Sequence, residues 1–293
     1  LKALFLVNAR SGPNRKRDIA AVIRSSCDWE GYEIAPCARK EDLDDIIAHA
    51  RRDGFDVVFA VGGDGTVHEV AKRLIGTPLA LAVIATGSGN GFARHIGFSL
   101  DAVKAIAACR DARTIAIDTA EVNGEPFIGV MGVGFDAYIA HRFEEAPARG
   151  MRTYVRIGLR ALRQYESEEY ELTIDGDTFR ERALIVAVAN TAQYGNNARI
   201  APNASVRDGL LDVVILRRAS PVTFPLLAAR LFRGTIDRAR SVVTRRGKEI
   251  AIKRTAEGPA HLDGEQVMLP RDLQIRIRPQ SLNVLVPASA KQI

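Results

Sequence analysis

Two short glycine-rich runs carry the groups in this chain best suited to chemistry. The first is Val61-Gly62-Gly63-Asp64-Gly65-Thr66, set between the apolar stretch Phe55 to Val61 and the pattern Val67 to Leu74. Three glycines in four positions let the backbone take positive φ and approach a ligand closely, because no Cβ stands in the way. Thr66 and Glu69 match a capping box, so the spacing predicts a helix starting there, with its N–H groups and positive dipole end aimed at whatever the loop holds. Phosphate is the natural occupant. Asp64, the lone carboxylate of the loop, would repel it without a cation, which points to Mg2+ carried in on a nucleotide. A tight strand-to-helix turn of any α/β protein is the plain alternative.

The second run, Thr86-Gly87-Ser88-Gly89-Asn90-Gly91-Phe92-Ala93-Arg94, follows the apolar strand Leu79 to Ala85 and weighs against that alternative. Val7-Asn8-Ala9-Arg10-Ser11-Gly12 ends the first strand in the same polar manner. Open parallel sheets bind ligands at the carboxyl ends of their strands, and three such loops on one edge point to a nucleotide site. Its candidate contacts are Asn8, Ser11 and Gly12 on the first loop. The second loop supplies Gly62, Gly63, Asp64, Gly65, Thr66, Val67 and His68, and the third Gly87, Ser88, Gly89 and Asn90.

The elements that must position these loops change character near residue 117. Before it, strand patterns (Ala3 to Val7, Tyr32 to Pro36, Asp56 to Val61, Leu79 to Ala85) alternate with helical ones (Asp18 to Ser26, Glu41 to Asp53, Thr66 to Leu74, Leu100 to Cys109). That alternation predicts an α/β domain with a mainly parallel sheet over 1–117. Over 118–280 short strands are joined by Asn123-Gly124, Asp175-Gly176 and Asp263-Gly264, the signature of two-residue hairpins. An antiparallel β-sandwich is expected there.

The ordered set NARSG, GGDGTVHEV, ATGSGNGFAR, GVGFDA, IAPNASVRDGLLDV and LDGE resembles the diacylglycerol kinase and sphingosine kinase family, in particular its soluble bacterial lipid kinases, over nearly the whole chain. GGDG alone is shared with NAD kinases and phosphofructokinases; the GNGFAR, RDGLLD and DGE segments separate the lipid kinases. The resemblance implies an NAD kinase/diacylglycerol kinase-like fold in which 281–293 returns to the first domain. It implies ATP and Mg2+ as cofactors and a lipid alcohol, such as diacylglycerol or a sphingoid lipid, as acceptor. It also implies Glu265 as general base supported by Asp263, with Asp64 as the third catalytic carboxylate, and a structural Mg2+ site at Ser205, Asp208 and Leu210. Each Asp-Gly pair is, on its residues alone, an ordinary turn. The chain departs from the family at Cys37-Ala38, where an adenine-side threonine is usual, and at Asn196 and Asn197, which stand in place of glycines.

The 293 residues carry a formal charge of +6, and three cysteines, Cys27, Cys37 and Cys109, without metal or disulfide spacing. That cysteine usage suits a reducing cytoplasm. No signal peptide pattern is visible, and no apolar run nears the ~18 residues of a spanning helix. Between Arg217 and Arg254 eleven basic residues face only Asp237 and Glu249. Arg149, Arg152, Arg156, Arg160 and Arg163 make a second basic stripe at helical spacing. A solvated arginine face and peripheral contact with anionic membrane are the two readings, and the apolar segment Phe224 to Phe232 beside the basic run favours the second. A nucleic-acid partner would explain the arginines and leave the carboxylates unexplained; a homodimer is compatible with the family. Two other functions fit parts of the pattern: an NAD kinase-like enzyme, and a non-catalytic, nucleotide-regulated lipid or membrane binder.

Overall fold

The computed structural model describes residues 1–8, 18–27, 29, 31–37, 39–135, 137, 138, 151–162, 165–288 and 290. They form two units, Leu1–Asp118 with Pro279–Ile293, and Thr119–Arg278. The first unit alternates as expected: β1 (Lys2–Asn8), α1 (Ile19–Ser26), β2 (Gly31–Cys37), α2 (Asp42–Arg52), β3 (Val57–Gly62), α3 (Asp64–Leu74), β4 (Ala80–Ala85), α4 (Gly91–His95) and α5 (Ala102–Ala108). β2, β1, β3 and β4 are neighbours in that order, all parallel. β3 and β4 are buried at every position, as strands covered on both faces are, and their near-continuous apolar content is the sequence form of that burial. Asp18 starts α1 by accepting the N–H groups of Ala20 and Ala21. Because β1, β3 and β4 are adjacent and parallel, their last residues Asn8, Gly62 and Ala85 end at one edge of the sheet.

β5 (Arg113–Val122) carries the chain into the second unit, which continues with β6 (Glu125–Phe127), β7 (Val130–Gly134), α6 (Met151–Leu162), β8 (Glu168–Ile174), β9 (Asp177–Ala183), β10 (Ile185–Ala189) and β11 (Leu211–Leu216). There follow α7 (Phe224–Arg233), β12 (Val242–Gly247), β13 (Glu249–Lys253), β14 (Gly258–Leu262), β15 (Glu265–Leu269) and β16 (Asp272–Val286). One sheet runs β12-β11-β10-β7-β14-β15, antiparallel throughout. The other runs β16-β13-β8-β9, with the β5–β6 hairpin paired to β16. Met131, Val186, Val188 and Val213 of the first sheet share a core with Tyr170, Leu172, Ile250 and Leu273 of the second. The alternate residues Ile185, Ala187 and Val214 face away and pack with Ala161 of α6 and with Phe224, Leu227 and Leu231 of α7. Side chains alternate with period two along a strand, so β10 and β11 are buried on both faces. Asp212 is the one charged residue in those two strands.

All three two-residue hairpins form. Asn123-Gly124, Asp175-Gly176 and Asp263-Gly264 each place two consecutive residues at positive φ, as a type I′ turn demands. Asn196 and Asn197 are also left-handed, at φ 50° and 63°, so the asparagines that replace the usual glycines are the residue type that best tolerates that conformation. β16 is longer than the expected segment from Leu282. Its residues 272–276 pair with β13, its residues 283–284 pair with β4, and Pro279, which has no N–H to donate, falls between the two ladders. No described helix is long and apolar enough to cross a membrane.

Candidate active site

In the first unit, the two glycine runs are fastened to each other. The Asp64 carboxylate accepts the backbone N–H of Asn90 at 2.7 Å and that of Gly91 at 2.8 Å, so an acid in the first run caps the start of α4, which follows the second. Asn90 is left-handed at φ 53° and donates its side-chain amide to the Gly87 carbonyl at 2.8 Å. Arg94 reaches back to the Gly89 carbonyl at 3.2 Å. The approach is too close for side chains: a Cβ on Gly87 would lie 2.6 Å from the Gly63 Cα, and one on Gly89 would lie 2.5 Å from an Asp64 oxygen.

Three expectations are corrected here. Gly62, Gly87 and Gly89 are needed for close contact and not for positive φ; Gly63 is not left-handed either, and that conformation belongs to Asn90. The helix begins at Asp64 with Gly63 as its N-cap, two residues before Thr66, so the capping box does not form. Thr66 instead accepts the Asn8 side-chain amide at 2.9 Å, while Glu69 pairs with Lys40 and Arg73. His68 is 4 % exposed, whereas a nucleotide-facing side chain would be open to solvent in a chain without ligand. Val67 is buried as well and its N–H closes the first helical turn on the Gly63 carbonyl. Ser11 and Gly12 lie outside the described residues. Gly65 is half-buried and Ser88 exposed on the loop surface.

These residues fit a nucleotide phosphate. The first turn of α3 has a glycine cap and no side-chain capping bond, so the positive end of an eleven-residue helix is left for an anion. Each Asp64 oxygen accepts one of these amides, and an ionised carboxylate is the kind of oxygen ligand a hard cation prefers.

In the second unit, Glu265 opens β15 directly across from Leu262 and is half-buried. The turn before it is fixed by Asp263, whose carboxylate accepts the backbone N–H groups of Ile128, Gly129 and Val130 at 3.0, 2.7 and 3.1 Å. Asn190 and Thr191 grip the same segment from its carbonyl side: the Asn190 amide donates to Ile128, and both backbone N–H groups donate to Gly129. A Cβ on Gly129 would meet Asp263 at 2.9 Å and Thr191 at 3.2 Å. Asp263 therefore holds the hairpin that presents Glu265. The role of Gly129, Asn190 and Thr191 was not visible in the sequence, since Asn190 lies sixty-two residues from its partner Ile128 and Gly129 lies 134 residues from Asp263.

Asp208 accepts the Leu210 N–H at 3.1 Å and pairs with Arg246; Ser205 accepts the Arg207 N–H at 3.4 Å. A cation at Ser205, Asp208 and Leu210 competes with Arg246 for that carboxylate. Arg246 is also the cross-strand partner of Asp212, with Nε 3.6 Å from Oδ2. Burial pushes the Asp212 carboxyl up to about 6, against the pull of Arg246 and with the repulsion of Asp208.

The basic run divides into occupied and open groups. Arg217 pairs with Glu181, and Arg254 is buried with its guanidinium on the carbonyls of Gly258, Pro259, Leu269 and Pro270. Arg218, Arg233, Arg238, Arg240 and Arg245 are exposed. Of the second stripe, Arg156 and Arg160 are exposed on α6; Arg149, Arg163 and the Arg152 side chain lie outside what the structure describes.

Comparison with known proteins decides the family. Residues 2–122 match the diacylglycerol kinase catalytic domain, and residues 129–286 match the YegS C-terminal NAD kinase beta sandwich-like domain. The chain belongs to the diacylglycerol kinase/YegS family of lipid kinases. It is 31 % identical to a protein named diacylglycerol kinase from Mycobacterium tuberculosis over 255 residues, 84 % of this chain and 82 % of that one. It is 27 % identical to one of the same name from Bacillus subtilis, over 90 % and 89 % of the two chains. The fold of this lipid kinase is shared with a diacylglycerol kinase from Bacillus anthracis (TM-score 0.77, 20 % identity, 99 % and 98 % covered). It is more distantly like an NAD kinase from Archaeoglobus fulgidus in complex with ATP (TM-score 0.52, 13 % identity, 98 % and 94 % covered).

Proposed function

We propose that this lipid kinase transfers the γ-phosphoryl group of ATP to a hydroxyl of diacylglycerol, with a sphingoid lipid as the second candidate acceptor. The clasp of Asp64 on Asn90 and Gly91 carries the reading, because it holds two glycine loops beside the uncapped start of α3, where polyphosphate charge is stabilised. Relatives named diacylglycerol kinase along most of the chain supply the acceptor class. The phosphorus–oxygen bond to the β-phosphate breaks, a bond to the lipid oxygen forms, and the hydroxyl proton passes to the Glu265 carboxylate. Phosphoryl transfer depends on positioning and charge neutralisation, and Mg2+ accompanying ATP supplies part of the latter. Asp64 keeps the loops in register for the phosphates; Asp263 keeps the Glu265 hairpin in register for the acceptor.

The reading puts the protein in the cytoplasm, in peripheral contact with anionic membrane. Phe224, Leu227 and Leu231, the apolar residues first expected to touch lipid, are buried against the sheet. Val222 and Leu226 are the exposed ones, at 87 % and 57 %, with Arg218 and Arg233 open nearby in sequence. An apolar tip with basic neighbours suits an anionic lipid surface. Transfer of labelled phosphate from ATP to a panel of lipid alcohols and NAD tests the function. Label is expected in the diacylglycerol product; label in NAD alone, or in nothing, would overturn it.

A further inference from the structure

The segment that resembles the family's structural cation site holds a guanidinium in this chain. Asp208 lies in the turn leading into β11, four residues before Asp212, and Arg246 stands directly across from Asp212 on β12. From there its terminal nitrogen pairs with the Asp208 Oδ2, while its Nε lies 3.6 Å from the Asp212 Oδ2, an ion-pair distance. Asp212 is buried, whereas Asp208 and Arg246 are exposed, so the guanidinium bridges an inner acid and an outer one. The other Asp208 oxygen, Oδ1, accepts the Leu210 N–H at 3.1 Å, and the Ser205 hydroxyl accepts the Arg207 N–H at 3.4 Å. Both oxygens of the outer carboxylate and the serine hydroxyl thus have partners within the protein.

We propose that Arg246 replaces the structural cation, and that the turn from Ser205 to Leu210 is fixed to β11 and β12 without metal. Charge and geometry both favour the guanidinium. It is always protonated and offers five donors in a fixed planar fork, enough to serve two carboxylates at once. Mg2+ demands near-octahedral oxygen ligands at about 2.0–2.1 Å and gives up its water reluctantly; it would have to displace Arg246 from Asp208 to enter. Among the described residues no group of three His, Cys, Asp or Glu side chains is placed to hold a metal. Arg246 is also tied beside Asp208 by the β11–β12 ladder, so it competes with a free ion as an intramolecular partner. Taking away one partner of a buried charge pair leaves the other uncompensated. Without Arg246, Asp208 and Asp212 would face each other as like charges, and that place would call for a cation.

The test uses the full chain without nucleotide or lipid, so its outcome is separate from that of the transfer assay. Melting temperatures are measured in EDTA and in millimolar Mg2+ at matched ionic strength, and bound Mn2+ is read by electron paramagnetic resonance. The parent is expected to melt at the same temperature in both buffers, and any Mn2+ it binds should be bound equally by Asp208→Asn. Arg246→Ala is expected to melt below the parent in EDTA, to recover in Mg2+, and to gain a bound Mn2+ that the double variant Arg246→Ala/Asp208→Asn lacks. Arg246→Lys keeps the charge without the fork and should fall between the two in EDTA. Mn2+ bound by the parent and released by Asp208→Asn, or a parent melting temperature that Mg2+ raises only while Asp208 is present, would overturn the proposal. That comparison needs no Arg246 variant, so it decides the matter even where Arg246→Ala fails to fold. An Arg246→Ala chain that melts like the parent in EDTA would overturn it as well.

Discussion

The carboxylate of Asp64 accepts the backbone N–H of Asn90 at 2.7 Å, across twenty-six residues of sequence. A residue read from its loop alone as a partner for Mg2+ is thus also the joint between the two glycine runs. Asp64→Asn replaces one acceptor oxygen by an NH2 group that faces an amide donor. The expected outcome is a stability loss of about 1–3 kcal/mol together with loss of transfer. Urea unfolding and the transfer assay check it; a variant with full stability and near-normal turnover would refute both roles.

Glu265 and Asp263 should separate in their effects. Glu265→Gln removes the base and leaves the hairpin, so turnover is expected to fall by about 10² to 10⁴ with ATP affinity unchanged. Asp263→Asn leaves three backbone amides sharing one side-chain carbonyl oxygen, and its first effect is expected in the melting temperature. ATP titration by calorimetry beside kcat measurements distinguishes them. A Glu265→Gln enzyme that binds ATP poorly and turns over normally would make the hairpin structural only.

The parts of this fold that were legible in sequence are those whose cause is local. A type I′ turn needs two adjacent left-handed residues, so Asn123-Gly124, Asp175-Gly176 and Asp263-Gly264 announce their hairpins within two positions. Thr66 and Glu69 also have a local pattern, but Asn8 and Lys40 outcompete it, because tertiary partners override a cap. Counting arginines from Arg217 to Arg254 could not show that Arg217, Arg246 and Arg254 already have partners. Asp212 is a single acid in an apolar strand; its ion-pair partner Arg246 comes from the neighbouring strand, thirty-four residues on.

A pH dependence follows from Glu69. Burial works against its ionisation, but hydrogen bonds from Lys40 and Arg73 outweigh it and hold the carboxyl below the usual 4.5. A depressed carboxylate stabilises the fold above its unfolded value and ceases to as pH falls through its folded one. Stability is therefore expected to drop below pH 4.5, and Glu69→Gln should be less stable than the parent at pH 7 with a shallower acid limb. Urea midpoints from pH 3 to 7 check the slope; parallel curves for the two proteins would show that other groups carry the acid response.

Membrane contact should be traceable to the tip of α7. Val222, in the turn just before α7, is 87 % exposed and Leu226, in the first turn of that helix, 57 %. Exposed arginines near them attract anionic lipid, each contributing about 1 kcal/mol near the surface. Replacing Val222 and Leu226 by Ser removes the inserting groups and leaves the charge. Replacing Arg218, Arg233, Arg238 and Arg240 by Ser does the reverse. Both variants are expected to sediment less with anionic vesicles, but only the parent and the Val222/Leu226 variant should respond to salt. The Debye length shrinks from about 10 Å at 0.1 M to about 3 Å at 1 M, and that screening acts on the arginines alone. Transfer to a short-chain acceptor dispersed in detergent should survive in each. Vesicle binding indifferent to salt and to both sets of substitutions would mean that this corner is an ordinary solvated surface, and that lipid reaches the enzyme by another face.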